Sequence, residues 1–335
     1  MRIAVDAMGG DRAPEEIVKG AVEAAGRFED LEILLPGIPE KIAPFLKGKG
    51  VERIKVVPCR EVVEMGESPV DAIRRKKDSS LRRTFDLTAA GEADAAISAG
   101  NTGATVAAAA LLLKPLEGCK RPGIAAVFPG MRGSTVLIDV GANIAPRPSH
   151  LLQYGIMAQV FAREVMGIAQ PSVGILNVGE EEEKGTDLVK AARGLLATHV
   201  PGFVGNVEGR DIYNGSVDVI VCDGFVGNIV LKGTEGLATF ILSLVAEYTK
   251  DAIAAGNTDL KAKMGSLMAR LDYTEYGGAP LLGVEKTTII CHGSSNAKAI
   301  ANAIRVARDS GLRQVNRRIV EALSAVEEPT DREAR

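Results

Sequence analysis

Six short segments of the chain combine glycine with Asn, Ser, Asp, Thr or His, and each follows a run of apolar residues. Backbone N–H groups, amides and hydroxyls in such segments can hold an anion, and a helix that starts there adds its own free N–H groups. One such segment alone is more often a tight turn or a helix cap. Six of them together predict an anion site. They cover residues 6–11, 98–103, 139–143, 177–180, 223–228 and 292–296.

The motifs of several common enzyme classes are missing from the sequence. The glycines near residues 9 and 100 do not match the G-x-G-x-x-G dinucleotide fingerprint, and lysine precedes glycine at 184–185 and 232–233, the reverse of a P-loop. There is no G-x-S-x-G nucleophile elbow. Three scattered histidines without H-E-x-x-H predict no metal site. Anion-binding turns without a covalent nucleophile suit a reaction in which the substrate itself is the nucleophile.

Composition and charge narrow the class of protein further. With 40 basic and 43 acidic side chains the net charge is −3, and only 4% of residues are aromatic, which argues against a nucleic-acid binder. The four cysteines lie far apart, so we expect reduced thiols and neither a disulfide framework nor a zinc ribbon. No charged leader precedes an apolar segment, and the apolar stretch 103–113 is shorter than the roughly 20 residues that span a bilayer. A cytoplasmic location is therefore predicted.

Short apolar runs alternate with amphipathic stretches along most of the chain, which predicts an α/β protein with a mostly parallel sheet between helices. Strands are predicted at 3–6, 32–35, 54–57, 95–98, 124–128, 136–139, 173–176, 217–222 and 288–291. Helices are predicted at 14–26, 69–90, 102–113, 149–166, 186–198, 228–248 and 296–308. The carboxyl ends of parallel strands share one edge of a sheet, where ligands bind. We therefore expect the six turns to meet at that edge.

The same turns carry a resemblance to a known family. The segments 3–11, 98–104, 139–143, 178–185, 223–228 and 292–295 resemble the bacterial phosphate acyltransferases of fatty acid and phospholipid synthesis, in the expected order from residue 3 to about 300. That family makes acyl phosphate from acyl-(acyl carrier protein). The resemblance implies a three-layer α/β/α fold similar to phosphotransacetylase and isopropylmalate dehydrogenase, a homodimer and no cofactor. We expect one domain over 1–315 with a protruding helical hairpin at about 228–271, followed by a C-terminal helix and frayed tail over 316–335.

In the implied reaction, phosphate is aimed at a thioester carbonyl whose oxygen needs hydrogen-bond donors as it gains charge. Positioning the two reactants supplies much of the acceleration, so no Ser or Cys nucleophile is required. Ser98, Asn101 and Thr102 suit phosphate, although a helix cap is an equally good interpretation. Lys184 follows four glutamates and is a candidate counter-charge for phosphate. His292 is a candidate to protonate the thiolate or to donate to the oxyanion, with a structural hydrogen bond as the alternative.

The predicted site has a catalytic and a binding set. The catalytic set is Lys184, Asp223, Asn228 and His292. The substrate-binding set is Asp6, Gly9, Gly10, Ser98, Gly100, Asn101, Thr102, Asp139, Asn143, Asn177, Gly224, Ser294 and Ser295.

A basic segment is the candidate docking surface for the acidic carrier protein. It comprises Arg74, Arg75, Lys76, Lys77, Arg82 and Arg83. Part of this segment could instead be self-paired, because Asp71 and Asp78 each precede an arginine by four residues. If it docks the carrier, reversing Arg82 and Arg83 to Glu should raise the Michaelis constant for the carrier substrate, with less effect at high salt.

The predicted hairpin is a second candidate interaction surface. After a turn at 254–257, an apolar stripe of Leu260, Met264, Leu267, Met268 and Leu271 is flanked by Lys261, Lys263 and Arg270. It packs on a neighbouring helix or across a dimer interface, or it rests on anionic lipid at the inner face of the cell membrane. The latter would place acyl phosphate beside the membrane glycerol-3-phosphate acyltransferase that consumes it.

Two other functions remain open on the sequence alone. The first is a decarboxylating dehydrogenase on the related fold, which would need a nicotinamide nucleotide and a metal held by Asp6, Asp139 and Asp223. The second is a non-catalytic protein that docks acyl carrier protein. Only the acyltransferase consumes phosphate stoichiometrically, and only the dehydrogenase changes the absorbance of nicotinamide.

Overall fold

The computed structural model describes residues 1–254, 257–271 and 277–326. Within this part of the chain one sheet of 11 strands forms the centre of the molecule. Its strands are β1 (Arg2–Val5), β2 (Glu32–Gly37), β3 (Ile54–Pro58), β4 (Ala95–Ser98), β5 (Gly123–Gly130), β6 (Gly133–Ile138), β7 (Val173–Leu176), β8 (Phe203–Val207), β9 (Val219–Val221), β10 (Ala279–Leu282) and β11 (Thr287–Ile290). All nine predicted strands are present, and their ends differ from prediction by three residues at most.

The strand directions correct the expected position of the turns. The strand order is β3-β2-β1-β4-β11-β10-β5-β6-β9-β7-β8. β10 is antiparallel to both β11 and β5, and β5 is antiparallel to β6, so β6, β9, β7 and β8 run opposite to β1, β4 and β11. The expectation that all six turns meet at one edge is therefore wrong. The turns after β1, β4 and β11 lie at one edge, here the upper edge, and those after β6, β7 and β9 lie at the opposite, lower edge.

Helices cover both faces of the sheet. They are α1 (Glu15–Arg27), α2 (Pro39–Ile42), α3 (Pro69–Arg75), α4 (Ser80–Ala89), α5 (Thr102–Leu112), α6 (Pro148–Glu164), α7 (Asp187–His199), α8 (Asp211–Asn214), α9 (Gly224–Ala254), α10 (Thr258–Leu271), α11 (Ala297–Leu312) and α12 (Val315–Ser324), with short 3-10 turns at Ala43–Phe45 and Val51–Arg53. One buried cluster packs α1, α6, α7, α11 and α12 on one face, and another packs α3, α4, α5 and α8 on the other. The three-layer α/β/α prediction is confirmed.

Side-chain caps start several of these helices at the predicted positions. Asn101 accepts a hydrogen bond from the N–H of Ala104 at 2.9 Å, and Asn296 accepts one from the N–H of Ala299 at 2.9 Å. Such caps satisfy N–H groups that have no partner within the helix. Asn and Ser in the polar turns therefore serve the fold as well as any ligand.

The single helix predicted over 69–90 is two helices, α3 and α4, with a break between Arg75 and Ser80. Ser79 caps α4, since its hydroxyl accepts from the N–H of Arg82 at 3.3 Å and donates to the carbonyl of Lys76 at 2.7 Å. The ammonium of Lys76 turns back to the carbonyl of Val62 at 2.7 Å. These polar side chains offer the backbone hydrogen bonds that replace those of a continuous helix.

Two strands were not predicted. β8 contains Gly205 with φ +99° and Asn206, and it begins two residues after Pro201 and Gly202, so its apolar pattern is interrupted. β10 has only four residues, includes Pro280 and directly follows Gly277 and Gly278. Glycine and proline are depleted in strands. β11 and β5 are both antiparallel to β10 and therefore run in the same direction, so the reversal of strand direction arises at the hairpin of β5 and β6.

Helix α9 spans 31 residues, more than the predicted 228–248. Its residues Gly224–Asp251 are long and apolar enough to cross a membrane by length and composition, with a mean hydropathy of 1.6. Its first turn, however, is held against the turn after β6, and Lys232 and Glu235 form an ion pair at 2.8 Å on it. We therefore describe α9 as a helix of the folded domain. Leu237, Phe240 and Tyr248 of α9 are exposed.

The predicted hairpin is only partly within the described residues. α10 is present, Leu260 and Met264 are half-buried, and Lys263 pairs with Asp259 at 2.8 Å. The expected turn residues Ala255 and Gly256 lie outside the described residues, as do the side chains of Leu267, Met268, Arg270 and Leu271 and the expected frayed tail from residue 327.

Candidate active site

A cavity of about 370 Å³ lies between α9 and the sheet face formed by β5, β10 and β11. Most of its wall is apolar, with Ile124, Ala126 and Ile290 from the strands and Leu231 and Ile241 from the helix. The polar side chains on its wall are Thr102, Tyr213, Asn228, Lys232, Thr234, Glu235, His292 and Ser295. This volume and mixture are typical of small-molecule sites.

The cavity contains predicted residues from both edges of the sheet. Thr102, His292 and Ser295 come from the upper edge, after β4 and β11, and Asn228 comes from the start of α9 at the lower edge. α9 crosses the face of the sheet, and the seven residues from Asn228 to Glu235 span roughly 10 Å at 1.5 Å per residue. One helix thus brings residues of opposite edges to one cavity.

At the upper edge Asp6 is 2% exposed and is the centre of a buried polar group. Its carboxylate accepts hydrogen bonds from the hydroxyl of Ser98 at 2.8 Å and from the N–H of Met8 at 3.2 Å. The hydroxyl of Ser98 in turn accepts from the N–H of Gly100 at 3.0 Å. Burial raises the pKa of Asp6, and these hydrogen bonds oppose the shift. Asp6 and Ser98 therefore fix the turns after β1 and β4 against each other.

Close backbone packing explains the glycines of the first turn. A Cβ on Gly9 would lie 2.6 Å from the Asp6 carboxylate and 2.8 Å from the N–H nitrogen of Gly100. On Gly10 it would lie 3.2 Å from the carbonyl oxygen of Gly293. The three turns of the upper edge are thus packed too closely for larger residues.

Asn101 has a structural role, whereas Thr102 is accessible to a ligand. The Asn101 side chain caps α5, and its amide donates to the carbonyl of Met65 at 2.7 Å, so the cap interpretation holds for it. Thr102 is exposed and lines the cavity.

His292 lies on the cavity wall at the end of β11. Its Nδ1 accepts from the N–H of Ser294 at 3.2 Å and lies 2.7 Å from the Ser294 hydroxyl. The neutral ring therefore carries its proton on Nε2. That nitrogen lies 3.6 Å from the carboxylate of Glu235, which also pairs with Lys232 at 2.8 Å. Lys232 and Glu235 were missed in the sequence, where they are the only charged residues between Gly224 and Ala246.

At the lower edge Asp139 is fully buried and holds its own turn together. Its carboxylate accepts from the N–H groups of Ile124 at 3.0 Å, Gly141 at 3.0 Å, Ala142 at 2.9 Å and Asn143 at 2.7 Å. Burial raises its pKa, and these hydrogen bonds oppose the shift. Because its oxygens are occupied by the protein's own N–H groups, Asp139 acts here as a structural residue.

The start of α9 is fixed to this turn. The Asp223 carboxylate accepts from the N–H groups of Phe225 at 3.0 Å and Val226 at 2.9 Å, which makes it the helix cap. The N–H of Gly224 donates to the carbonyl of Asn143 at 2.9 Å. The amide of Asn143 donates to the buried hydroxyl of Tyr154 at 2.8 Å. These contacts set the position of Asn228 one turn further along.

Asn177 and Lys184 belong to a separate group at the lower edge. The Asn177 amide donates to the carbonyl of Lys184 at 3.0 Å, and the Lys184 ammonium pairs with Glu181 at 2.6 Å. The hydrogen bond from Glu181 raises the pKa of Lys184. Arg210 pairs with Glu180 at 2.9 Å beside them. Neither Asn177 nor Lys184 lines the cavity.

The three candidate metal ligands lie at opposite edges of the sheet, and the cysteine thiols are buried. Asp6 lies at the upper edge and Asp139 and Asp223 at the lower, and within residues 1–254, 257–271 and 277–326 no group of three or more His, Cys, Asp or Glu side chains could hold a metal ion. The four cysteines are free and buried. Burial raises the pKa of Cys59 and Cys119 to about 11 and of Cys291 to about 12, so these thiols are protonated and poorly nucleophilic at neutral pH.

Two solved structures that share this fold are phosphotransacylases. A phosphotransacetylase from Streptococcus pyogenes aligns with a TM-score of 0.59 at 16% identity, over 93% of this chain and 94% of that one. A branched-chain phosphotransacylase from Enterococcus faecalis aligns with a TM-score of 0.54 at 15% identity, over 92% and 99%. The fold is therefore that of the phosphotransacylase class.

Sequence comparison shows the family to which the chain belongs. The sequence model for the fatty acid synthesis protein family matches residues 1–318, and the chain belongs to this family. A phosphate acyltransferase of Halothermothrix orenii is 48% identical over 326 residues, 96% of each chain. Another, of Heliobacterium modesticaldum, is 50% identical over 320 residues, 92% of this chain and 93% of that one. The chain is an acyltransferase enzyme of fatty acid and phospholipid synthesis, as its turns predicted.

Proposed function

We propose that the enzyme transfers the acyl group of acyl-(acyl carrier protein) to inorganic phosphate, reversibly and as the first step of phospholipid synthesis. A phosphate oxygen attacks the thioester carbonyl carbon, a carbon–oxygen bond forms and the carbon–sulfur bond breaks. The proton lost by the phosphate ends on the carrier thiol. The observation that carries this proposal is the cavity under α9, where an apolar wall for an acyl group adjoins Thr102, Asn228, Lys232, His292 and Ser295.

Each polar group has a role suited to its chemistry. Lys232 is the cation beside the cavity and can balance the charge of phosphate, with Thr102 and Ser295 as hydrogen-bond donors. Asn228 can donate to the carbonyl oxygen as it gains charge. His292, whose Nε2 carries the ring proton, can donate that proton to the sulfur as the carbon–sulfur bond breaks, and the proton lost by the phosphate then restores it on Nε2. Lys184, Asp223 and the remaining predicted residues stay predictions, as positioning groups or as groups that act from another copy.

Thiol release tests the reaction. With acyl-(acyl carrier protein) as substrate, free thiol should appear only when phosphate is present, and one phosphate should be consumed for each thiol. A chelator should change nothing, and nicotinamide absorbance should stay constant. Thiol release without phosphate would contradict the proposal, and a change in nicotinamide absorbance would favour the dehydrogenase. The absence of both thiol release and a change in nicotinamide absorbance would favour a docking protein.

We further propose that the acidic carrier protein docks on α3. Arg74, Arg75 and Lys77 are exposed there, whereas Arg82 is paired with Asp86 at 2.9 Å and Lys76 with Glu67. The sequence had suggested that Asp71 and Asp78 pair with the arginines four residues on. Instead Asp71 accepts from Ser68 at 3.0 Å and Asp78 lies 4.0 Å from Arg60.

The position of α3 supports this surface. Pro69, its first residue, packs so closely on Gly103 that a Cβ there would lie 2.8 Å from the proline ring. Gly103 adjoins Thr102 on the cavity wall, so a carrier on α3 sits beside the cavity. Arg74→Glu with Arg75→Glu should raise KM for the carrier substrate, less so at high salt. The matched control is Lys47→Glu with Lys49→Glu, and equal KM values for both variants would contradict the surface.

Three further proposals concern assembly: α9 suggests a dimer, the sheet a single domain, and α10 a contact with lipid. A second copy covers the exposed apolar face of α9, giving a homodimer; a monomer in sedimentation at micromolar concentration would refute this. Residues 1–315 form one domain around the continuous sheet.

α10 rests on anionic lipid at the cytoplasmic face of the membrane, near the glycerol-3-phosphate acyltransferase. Flotation with anionic vesicles should be weakened by Leu260→Asp with Met264→Asp in a variant that still dimerises, and equal flotation would remove the lipid contact.

A further inference from the structure

Part of the cavity floor is a row of three apolar residues in register on neighbouring strands, and the two on β10 and β5 are alanines. Ala279 of β10 pairs with Ile290 of β11, and Leu281 pairs with Ile124 of β5, so Ala126 lies opposite Ala279. Ala126 and Ala279 both line the cavity. Because adjacent strands lie about 4.8 Å apart, this row gives an apolar path roughly 10 Å long from β11 to β5, and the two alanines leave room above it.

One side of this path carries the polar groups of the proposed reaction. His292 directly follows Cys291 at the end of β11, and Ser295 and Thr102 lie on the same wall. Beyond the path, on the far side from β11, the wall is built from Phe128 of β5, Tyr213 of α8 and Thr234 of α9.

Three contacts close that far side. The rings of Phe128 and Tyr213 meet edge to face with centroids 6.3 Å apart and an interplanar angle of 73°. The Tyr213 hydroxyl is hydrogen-bonded to the hydroxyl of Thr234, which joins this wall to α9. The carbonyl of Tyr213 accepts from the N–H of Met131 at 2.7 Å, which fixes it to the β5–β6 turn. We call Phe128, Tyr213 and Thr234 the end wall.

We propose that the path holds the hydrocarbon chain of the acyl group, with the thioester at His292, and that the end wall sets the longest chain that fits. This inference rests on the proposed acyl transfer. The occupant is a straight alkyl chain because the path is apolar, narrow and joined at one end to the groups that would bind the reacting carbonyl. A carrier protein or a second copy cannot enter a cavity of about 370 Å³.

Binding of free fatty acids tests the path without any turnover. Calorimetry with saturated acids from hexanoate to stearate should show affinity rising about fourfold for each added methylene, the gain expected from burying it. The rise should stop at one chain length, where the alkyl chain meets the end wall. An affinity that does not depend on chain length would overturn the proposal.

Variants of the floor and the end wall locate the limit. Ala126→Leu fills the path and should move the limit to shorter chains, and Tyr213→Ala opens the end wall and should move it to longer chains. Ala197→Leu adds the same bulk at an exposed position of α7 and should leave the limit unchanged. If Ala126→Leu does not fold, Thr234→Val serves as the second test. It removes the hydroxyl that is bonded to Tyr213 at nearly constant size, and it should move the limit to longer chains, as Tyr213→Ala does.

The outcomes separate this inference from the proposed reaction. If the enzyme forms acyl phosphate but its chain-length limit is the same in all variants, the end wall is refuted and the reaction stands. If fatty acids bind with the predicted limits and no acyl phosphate forms, the reaction is refuted.

Discussion

Replacing Gly227 of α9 by alanine should push the start of this helix away from the turn after β6, which contains Asp139. A Cβ at this position would fall well inside 3.0 Å of the carbonyl oxygen of Asp139, and it would lie 2.9 Å from both the Asp139 carbonyl carbon and the Cys222 sulfur. A backbone carbonyl cannot rotate away as a side chain can. The first turn of α9, which includes Asn228, must therefore move.

The magnitude follows from two opposing effects. Alanine is favoured over glycine within a helix by about 1 kcal/mol. Inserting a methyl group into a packed site costs about 1–3 kcal/mol, and more where the backbone must shift. We expect Gly227→Ala to lower the free energy of unfolding by about 3 kcal/mol. Gly233→Ala, on the same helix with nothing within 4 Å, should raise it by about 0.5–1 kcal/mol.

Two measurements check this pair of variants. Denaturant unfolding at constant m reports the change in stability. Phosphate-dependent thiol release reports the displacement of Asn228, since a misplacement of about 1 Å can cost about 10²-fold in rate. If Gly227→Ala matched Gly233→Ala in both stability and rate, the contact between α9 and the Asp139 turn would not position the site. A loss of stability with an unchanged rate would remove Asn228 from the reaction.

Three further predictions concern single residues. Burial raises the pKa of Asp6, so its contribution to stability is complete below its unfolded pKa near 3.8 and is lost as the pH rises through its folded pKa. The free energy of unfolding of the parent should therefore fall relative to that of Asp6→Asn as the pH rises above about 4. Parallel pH curves for the two proteins would contradict this. His292→Ala should lower kcat about 10²-fold with little change in unfolding midpoint, and a normal kcat would exclude it from proton transfer. Lys184→Ala should leave the unfolding midpoint close to that of the parent, because its ion pair is exposed. An unchanged KM for phosphate would exclude Lys184 as a phosphate ligand.

The elements that the sequence predicted best are those whose pattern is local. The buried strands β4 and β7 were predicted with their observed ends, because uninterrupted apolar runs between turn residues are typical of strands covered on both faces. The break between α3 and α4 was missed because it depends on Ser79 and Lys76, whose hydrogen bonds reach residues that sequence periodicity does not consider.

The arrangement of the site was predicted less well, for a reason of topology. Six turns at strand ends imply one shared edge only if all the strands run in one direction, and the antiparallel pairing of β5 with β6 places the turns after β6, β9 and β7 at the opposite edge. Asn101, Asp139 and Asp223 were correctly identified as turn residues, but their side chains are occupied by backbone N–H groups. Thr102 and Asn228 reach the cavity, and only the crossing of α9 brings them together.

Lys232 and Glu235 show what the sequence could have revealed. They lie three residues apart, one helical turn, within an otherwise apolar stretch of α9. Charged residues in such a stretch are costly unless they are exposed or serve a site. Their position next to His292 was not predictable, since it depends on how far α9 extends over the sheet.

The central claim is that phosphate attacks an acyl thioester in the cavity under α9, and ³¹P NMR of the reaction tests it most directly. With acyl-(acyl carrier protein) and inorganic phosphate, an acyl phosphate signal should grow in step with free thiol for the parent enzyme. For Asn228→Ala it should grow about 10²–10³-fold more slowly, the usual cost of removing one oxyanion donor. Thiol release without acyl phosphate, or equal rates for parent and variant, would contradict the account.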